Sequence, residues 1–180
     1  SWKVNNLGKI CDVRDGTHDS PKYHSVGFPL VTSKNIKNGF IDFSEVNLIS
    51  EKDLISINKR SLVEDGDILM PMIGTIGNPI IVKKNRDFAI KNVALIKCRP
   101  DIICNIYLKS LLDSNYFTNY ISKKSRGGTQ KFLSLSDIRN VAILLPDIGV
   151  QKKYSQLVEK IDLTKHKMIA QSEELETQFQ

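Results

Sequence analysis

The chain has 180 residues, 41% of them hydrophobic, and a net charge of +6, which suits one globular core with an appendage and an acidic partner. No apolar run reaches ~18 residues, so no membrane-spanning helix is expected, and the opening Ser-Trp-Lys-Val-Asn-Asn has no apolar signal core. Cys11, Cys98 and Cys104 are odd in number and lack paired metal spacing, which argues against a disulfide framework and for a reducing cytoplasm.

Charge is unevenly spread. Residues 1–146 carry 21 Lys and Arg against 14 Asp and Glu, a surplus of seven positive charges, whereas residues 147–180 carry five against six. The basic character therefore belongs to the first part. The chain begins without Met, which suggests a cloning remnant or a piece of a longer protein.

In chain order, residues 7–14 and 28–33 read as short strands separated by an Asp-, Gly- and Pro-containing loop, Asp15 to Tyr23. Asn38-Gly39 predicts a hairpin turn between Lys34-Asn35-Ile36 and Phe40-Ile41-Asp42-Phe43. Ser50 followed by Glu51 and Asp53 predicts a capped helix over 51–59. Glu64 to Asp67 is a turn. A strand over 68–73 follows, its regularity broken by Pro71, and then a tight connection, Gly74 to Pro79, into Ile80-Ile81-Val82. Residues 88–90 and 93–98 complete the strands, and apolar spacing turns helical over 105–113 and 115–123.

Residues 122–151 are the most informative stretch. A basic loop with Gly127 and Gly128 leads into a small capped turn, a buried apolar strand, Pro146 and a long helix. That helix, over 147–179, repeats Tyr154, Ile161, Met168 and Leu175 every seven residues, with Leu157 opening a second seam that turns polar towards the end. Such a stripe cannot be covered by its own helix and requires a partner helix. The expected architecture is α/β (α+β): a mixed sheet with small helices over 1–146, then one long coiled-coil-type helix over 147–180.

Catalytic patterns are weak. His18 lies near Asp15 and Asp19, but no nucleophile elbow accompanies it, and His24 and His166 stand apart from any metal-ligand spacing. Gly74-Thr75-Ile76-Gly77 falls between strands rather than before a helix, so it reads as a turn and not a phosphate loop. Asn78-Pro79-Ile80-Ile81 lacks the second proline and the aromatic of an adenine-methyltransferase motif. Asp101 and Asp147 have no Glu-x-Lys at nuclease spacing. No enzymatic activity and no metal site are expected of this chain alone.

Binding patterns are stronger. Arg14, Thr17, His18 and Lys22 fall in one loop; Ser33, Lys34, Asn35 and Lys37 in a second; Lys91 and Asn92 in a third. The fourth holds Lys123, Lys124, Arg126, Gly128, Thr129, Gln130 and Lys131, where cations, amide donors and glycines coincide. Aromatics at 7% are too sparse for stacking along a single strand, so duplex DNA is the expected partner. Arg126, Lys131, Lys34 and Lys22 suit phosphates; Thr17, His18, Asn35, Asn92, Thr129 and Gln130 suit base edges.

Several of these segments, in this order, resemble one half of a type I restriction–modification specificity subunit. They are Trp2 with Leu7-Gly8-Lys9-Ile10, the Asp15–Tyr23 loop, Gly66-Asp67-Ile68-Leu69 with Gly74-Thr75-Ile76-Gly77, Gly128-Thr129-Gln130 with Leu133 to Ile138, and Leu145-Pro146 with Gln151. The resemblance implies a single target-recognition domain, non-catalytic, reading half of a bipartite DNA site, with one conserved-region helix. It further implies modification subunits that bind S-adenosylmethionine and methylate adenine, a restriction subunit using ATP and Mg, and a bacterial or archaeal cytoplasm. No cofactor is expected on this chain. Tyr154, Leu157, Ile161, Met168 and Leu175 would pair the helix with a second copy, or with the other half of a longer specificity subunit. A small stand-alone restriction endonuclease and a purely structural protein are the alternatives.

Overall fold

A computed structural model describes residues 2–74, 76–124 and 132–178. The elements run β1 (Lys3–Asn6), α1 (Leu7–Ile10), β2 (Cys11–Asp15), β3 (Phe28–Val31), a 3-10 turn (Ser33–Asn35), β4 (Ile36–Lys37), β5 (Phe40–Ile41), β6 (Asn47–Ile49), α2 (Glu51–Ser61), β7 (Ile68–Pro71), β8 (Ile80–Ile81), β9 (Ala89–Ile90), β10 (Val93–Cys98), α3 (Asn105–Leu112), α4 (Asn115–Lys124), α5 (Leu135–Arg139), β11 (Ala142–Leu145) and α6 (Ile148–Gln178).

The main sheet has the order β2-β10-β7-β8 and is antiparallel throughout. A second sheet, β6-β3-β9, is mixed, with β3 and β9 parallel. Strand β10 lies at the centre of the main sheet and is apolar from Val93 to Ile96 because both its faces are covered. Alternation then sorts its side chains. Ala94 and Ile96 face a cluster with Val13, Met70, Leu108, Phe117, Ile138 and Ile143, under α3, α4 and α5. Val93 and Leu95 face the opposite cluster with Val31, Leu69, Ile80, Phe88 and Ile90. Leu30, Ile49, Leu54 and Ala89 form a smaller core beneath α2.

Several expected boundaries move. Residues 7–14 are not one strand. Leu7 and Ile10, three apart and both buried, wind into the single turn α1, and Gly8 allows it to seat on Arg139, whose Cβ lies 3.0 Å from where a Gly8 Cβ would be. β3 stops at Val31 because the Asn35 Oδ1 accepts from both the backbone N–H and the hydroxyl of Thr32, which closes the 3-10 turn. β1 pairs with β11 across nearly the whole chain, and β6 flanks β3; neither strand has a local sequence signal.

Other expectations hold. Asn38 and Gly39 both have positive φ, 51° and 85°, the geometry of a two-residue hairpin turn joining β4 and β5. Ser50 accepts from the Asp53 N–H at 3.1 Å to cap α2, which runs two residues longer than expected. Ser134 and Asp137 form a reciprocal capping box at the start of α5.

Candidate nucleic-acid interface

Strands β2 and β7 both run antiparallel to β10, so their C-terminal ends open on the same side of the sheet, where β10 begins. β9 ends there too and turns through Lys91 and Asn92 directly into β10, while its parallel neighbour β3 ends beside it. The loops after β2, β3 and β7 and the Lys91–Asn92 corner therefore gather at one edge. Backbone bonds stitch them together: Thr17 N–H to Ile90 O at 3.0 Å, Asn92 N–H to Thr17 O at 3.1 Å, and Lys91 N–H to Val31 O at 2.9 Å. Gly16 is required for this closeness, since a Cβ there would stand 2.1 Å from the Ile90 carbonyl oxygen. An Ile73–Phe132 bridge and a 2.9 Å bond from Leu133 N–H to Met72 O bring the chain that follows residue 131 to the same edge.

Three of the four sequence-derived groups thus meet, and the side chains of the first and third interlock. His18 lies between Asp15 and Asn92, with Nε2 2.8 Å from Asp15 Oδ2 and Nδ1 2.8 Å from the Asn92 side-chain amide. Asn92 has φ of 54°, a left-handed corner that asparagine tolerates better than most residues. Lys91 Nζ donates to the Ser20 hydroxyl, and Thr17 Oγ1 accepts from the Asp19 N–H at 3.1 Å, leaving its O–H free to donate. Lys22 and Lys34 are exposed and form no ion pair among the described residues.

The structure corrects several assignments. Asn35 is buried and cannot reach a base edge: its Oδ1 serves Thr32, and its Nδ2 donates to the carbonyls of Asp42 and Glu45, both at 3.3 Å. Arg14 is partly exposed but engaged by its own fold, donating to Asp12 Oδ2 at 2.5 and 2.9 Å and to the Arg60 carbonyl at 2.8 Å. The hydrogen bond between Arg14 and Asp12 lifts the guanidinium above its usual range and lowers the carboxyl below its own. His18 has both ring nitrogens engaged within the fold, by Asp15 and Asn92, while its side chain is 61% exposed. Lys123 and Lys124 are exposed at the end of α4. Arg126, Gly128, Thr129, Gln130 and Lys131 lie outside the described residues.

Beside this edge the β4–β5 hairpin is braced by Asp42, which accepts from the Ser44 hydroxyl at 2.6 Å, the Ser44 N–H at 2.9 Å and Lys37 Nζ at 3.2 Å. Those bonds, the Ser44 hydroxyl first, hold its carboxyl down at about 2. An open groove of about 820 Å³ runs between the hairpin and α3, lined by Lys34, Lys37, Asn78 and Lys109 among others. Lys37 and Lys109 are paired with Asp42 and Asp113, so this groove is polar rather than strongly basic. Among the described residues no group of three or more His, Cys, Asp or Glu is arranged to hold a metal ion, and no helix is long and apolar enough to cross a membrane.

At the opposite pole α6 is rooted by one amide. Gln151 is fully buried; its Oε1 accepts from the Cys104 N–H at 3.0 Å, and its Nε2 donates to Ile102 O and Pro146 O at 3.1 and 2.8 Å. Past Val158 the described residues of the helix are exposed. Tyr154 stacks edge-on against Tyr107, while Leu157, Ile161, Met168 and Leu175 are between 46 and 65% exposed. A helix of 31 residues is about 46 Å long, so most of its heptad stripe faces solvent.

The sequence profile of the type I restriction modification DNA specificity domain matches residues 1–177. The EcoBI specificity subunit of Escherichia coli is 30% identical over 136 residues, covering 75% of this chain and 28% of that protein. The EcoKI specificity subunit of E. coli strain K12 is 25% identical over 174 residues, covering 88% and 35%. The chain therefore spans about a third of the length of these relatives. Among solved structures, the HsdS subunit of Thermoanaerobacter tengcongensis shares the fold, with a TM-score of 0.65 at 18% identity over 91% of this chain and 38% of that one. The S subunit from M. genitalium does so with a TM-score of 0.62 at 13% identity, over 90% and 39%.

Proposed function

The chain belongs to the family of type I restriction–modification DNA specificity domains, and from that premise we propose that it is a non-catalytic DNA-recognition unit that reads one half of a bipartite duplex site. The observation that carries this reading is the convergence of the loops after β2, β3 and β7 with the Lys91–Asn92 corner on one edge. Sequence discrimination needs several groups held in fixed register, with cations around them to hold the phosphates. Polar groups of Thr17 and Asn92 would supply the first, and the exposed Lys22, Lys34, Lys123 and Lys124 the second.

In this reading residues 1–146 form the recognition domain and residues 147–180 the helix that joins it to an assembly. The helix pairs with a second copy or with the other half of a longer specificity subunit, through the stripe of Tyr154, Leu157, Ile161, Met168 and Leu175. Modification subunits carrying S-adenosylmethionine, and a restriction subunit using ATP and Mg, act on the DNA selected here. The curated relatives are named as specificity subunits, which favours this reading over a stand-alone endonuclease.

The test is selection of random duplexes by the chain assembled with its modification subunits, followed by affinity measurement against salt. A reproducible half-site motif, bound more tightly than unrelated duplex, is expected. Recovery of no motif by an assembled complex would contradict the proposal.

A further inference from the structure

We infer that Arg60, which lies on α2 outside every recognition loop, is a positioning residue that fixes the recognition edge through a relay of Asp15, His18 and Asn92. This rests on the DNA-recognition reading above and extends it to a residue with no motif of its own. The Arg60 Nη2 reaches three acceptors at the root of the loop after β2: the Asp15 carboxylate, the Asp15 carbonyl at 3.2 Å and the Gly16 carbonyl at 3.1 Å. Asp15 is buried, and its other oxygen meets His18 Nε2 at 2.8 Å; the second ring nitrogen meets Asn92 Oδ1 at 2.8 Å. The main chain of Arg60 is itself fixed, because Arg14 Nη1 donates to its carbonyl at 2.8 Å. Two arginines therefore brace the end of β2 against the end of α2.

The relay ends on a group that can read DNA. With one end of its amide held by His18, the Asn92 side chain cannot rotate freely, and the other end of the amide has no partner among the described residues. A fixed amide in a left-handed corner, next to Thr17 and Lys91, can select a complementary group on a base edge. Without Arg60 the buried carboxylate loses its charged partner and the Gly16 carbonyl loses a donor, which frees Asp15 to turn and releases His18. The loop would still be basic and would still meet DNA, but Asn92 would no longer be aimed.

The experiment compares wild type, Arg60→Met and Arg60→Lys, each assembled with the modification subunits, on the selected duplex and on a scrambled one across a salt series. Arg60→Met should lower affinity for the selected duplex on the order of 10- to 100-fold, with affinity for the scrambled duplex within about 2-fold of wild type and an unchanged salt slope. Arg60→Lys should lose part of the discrimination, because the ammonium on its shorter stem does not reach the place the Arg60 Nη2 occupies; it also serves if the Met variant fails to fold. In a His18→Ala background Arg60→Met should add little further loss, since both act on one relay. Nitrogen-15 histidine spectra of the free chain should show the His18 ring resonances shifted by Arg60→Met.

A salt slope reduced by about 0.9 would mean that Arg60 itself contacts a phosphate, and would overturn the inference. So would unchanged discrimination, or an unmoved His18 spectrum. A wild-type complex that does not distinguish the two duplexes would instead sink the DNA-recognition reading and this inference with it.

Discussion

The loop edge and the root of α6 are both built on side-chain amides, and they use them in opposite ways. At the root, Gln151 is fully buried and each of its polar atoms is bonded to main chain: Cys104 N–H, Ile102 O and Pro146 O. At the edge, Asn92 bonds to another side chain, His18, and keeps one end of its amide unshared. The first arrangement anchors an element; the second leaves chemistry available for a ligand. Asn35, a few residues from the edge, belongs with Gln151: it is buried, and its Nδ2 is bonded to carbonyls. Residue type and loop location alone do not separate these classes. What separates them is whether the partner is main chain in the interior or side chain at the rim.

That contrast can be broken most severely at the root. Gln151→Ala strands one N–H and two carbonyls in a buried socket, and should lower unfolding stability by about 3 kcal/mol in urea titration. Asn35→Ala should cost about 2 kcal/mol for the same reason, with no change in base preference when binding is measured well below the melting temperature. His18→Ala should do the reverse. Its side chain is 61% exposed, so stability should stay within about 0.5 kcal/mol while discrimination between selected and scrambled duplex falls. If His18→Ala were as destabilising as Asn35→Ala, the division between anchor and rim would be wrong.

Smaller effects sharpen the same division. Lys22→Ala or Lys34→Ala should weaken binding to all duplexes alike and reduce the salt slope by about 0.9 each. Asp42 supplies a pH test confined to the hairpin. Its folded carboxyl lies at about 2, below its ordinary 3.8, so its contribution is fully present above 3.8 and is lost as pH falls through about 2. The Ser44 amide resonance should shift over that window and stay constant from pH 5 to 7.

Features set by neighbours in the chain were legible in the sequence. The Asn38-Gly39 turn, the Ser50 and Ser134 caps and the heptads of α6 each act within a few residues, so their patterns are local. Features set by distant partners were not. β1 finds β11 about 140 residues away, and α1 exists because Leu7 and Ile10 need one buried face. The candidate site divides along the same line. Loops could be nominated by their glycines and cations, but Asn35 and Asn92 look alike until their partners are known. Arg60 sits in the last turn of a helix, where a cation is ordinary. Its bonds to Asp15 and Gly16 span 45 and 44 residues, and no local pattern announces them.

The most direct test is to co-express the chain with its modification subunits and map methylated adenines across the host genome. The account predicts new methylation at a bipartite motif, palindromic if two copies of this chain read the halves and asymmetric if a different recognition domain supplies one. An assembled complex that adds no sequence-specific methylation would contradict it.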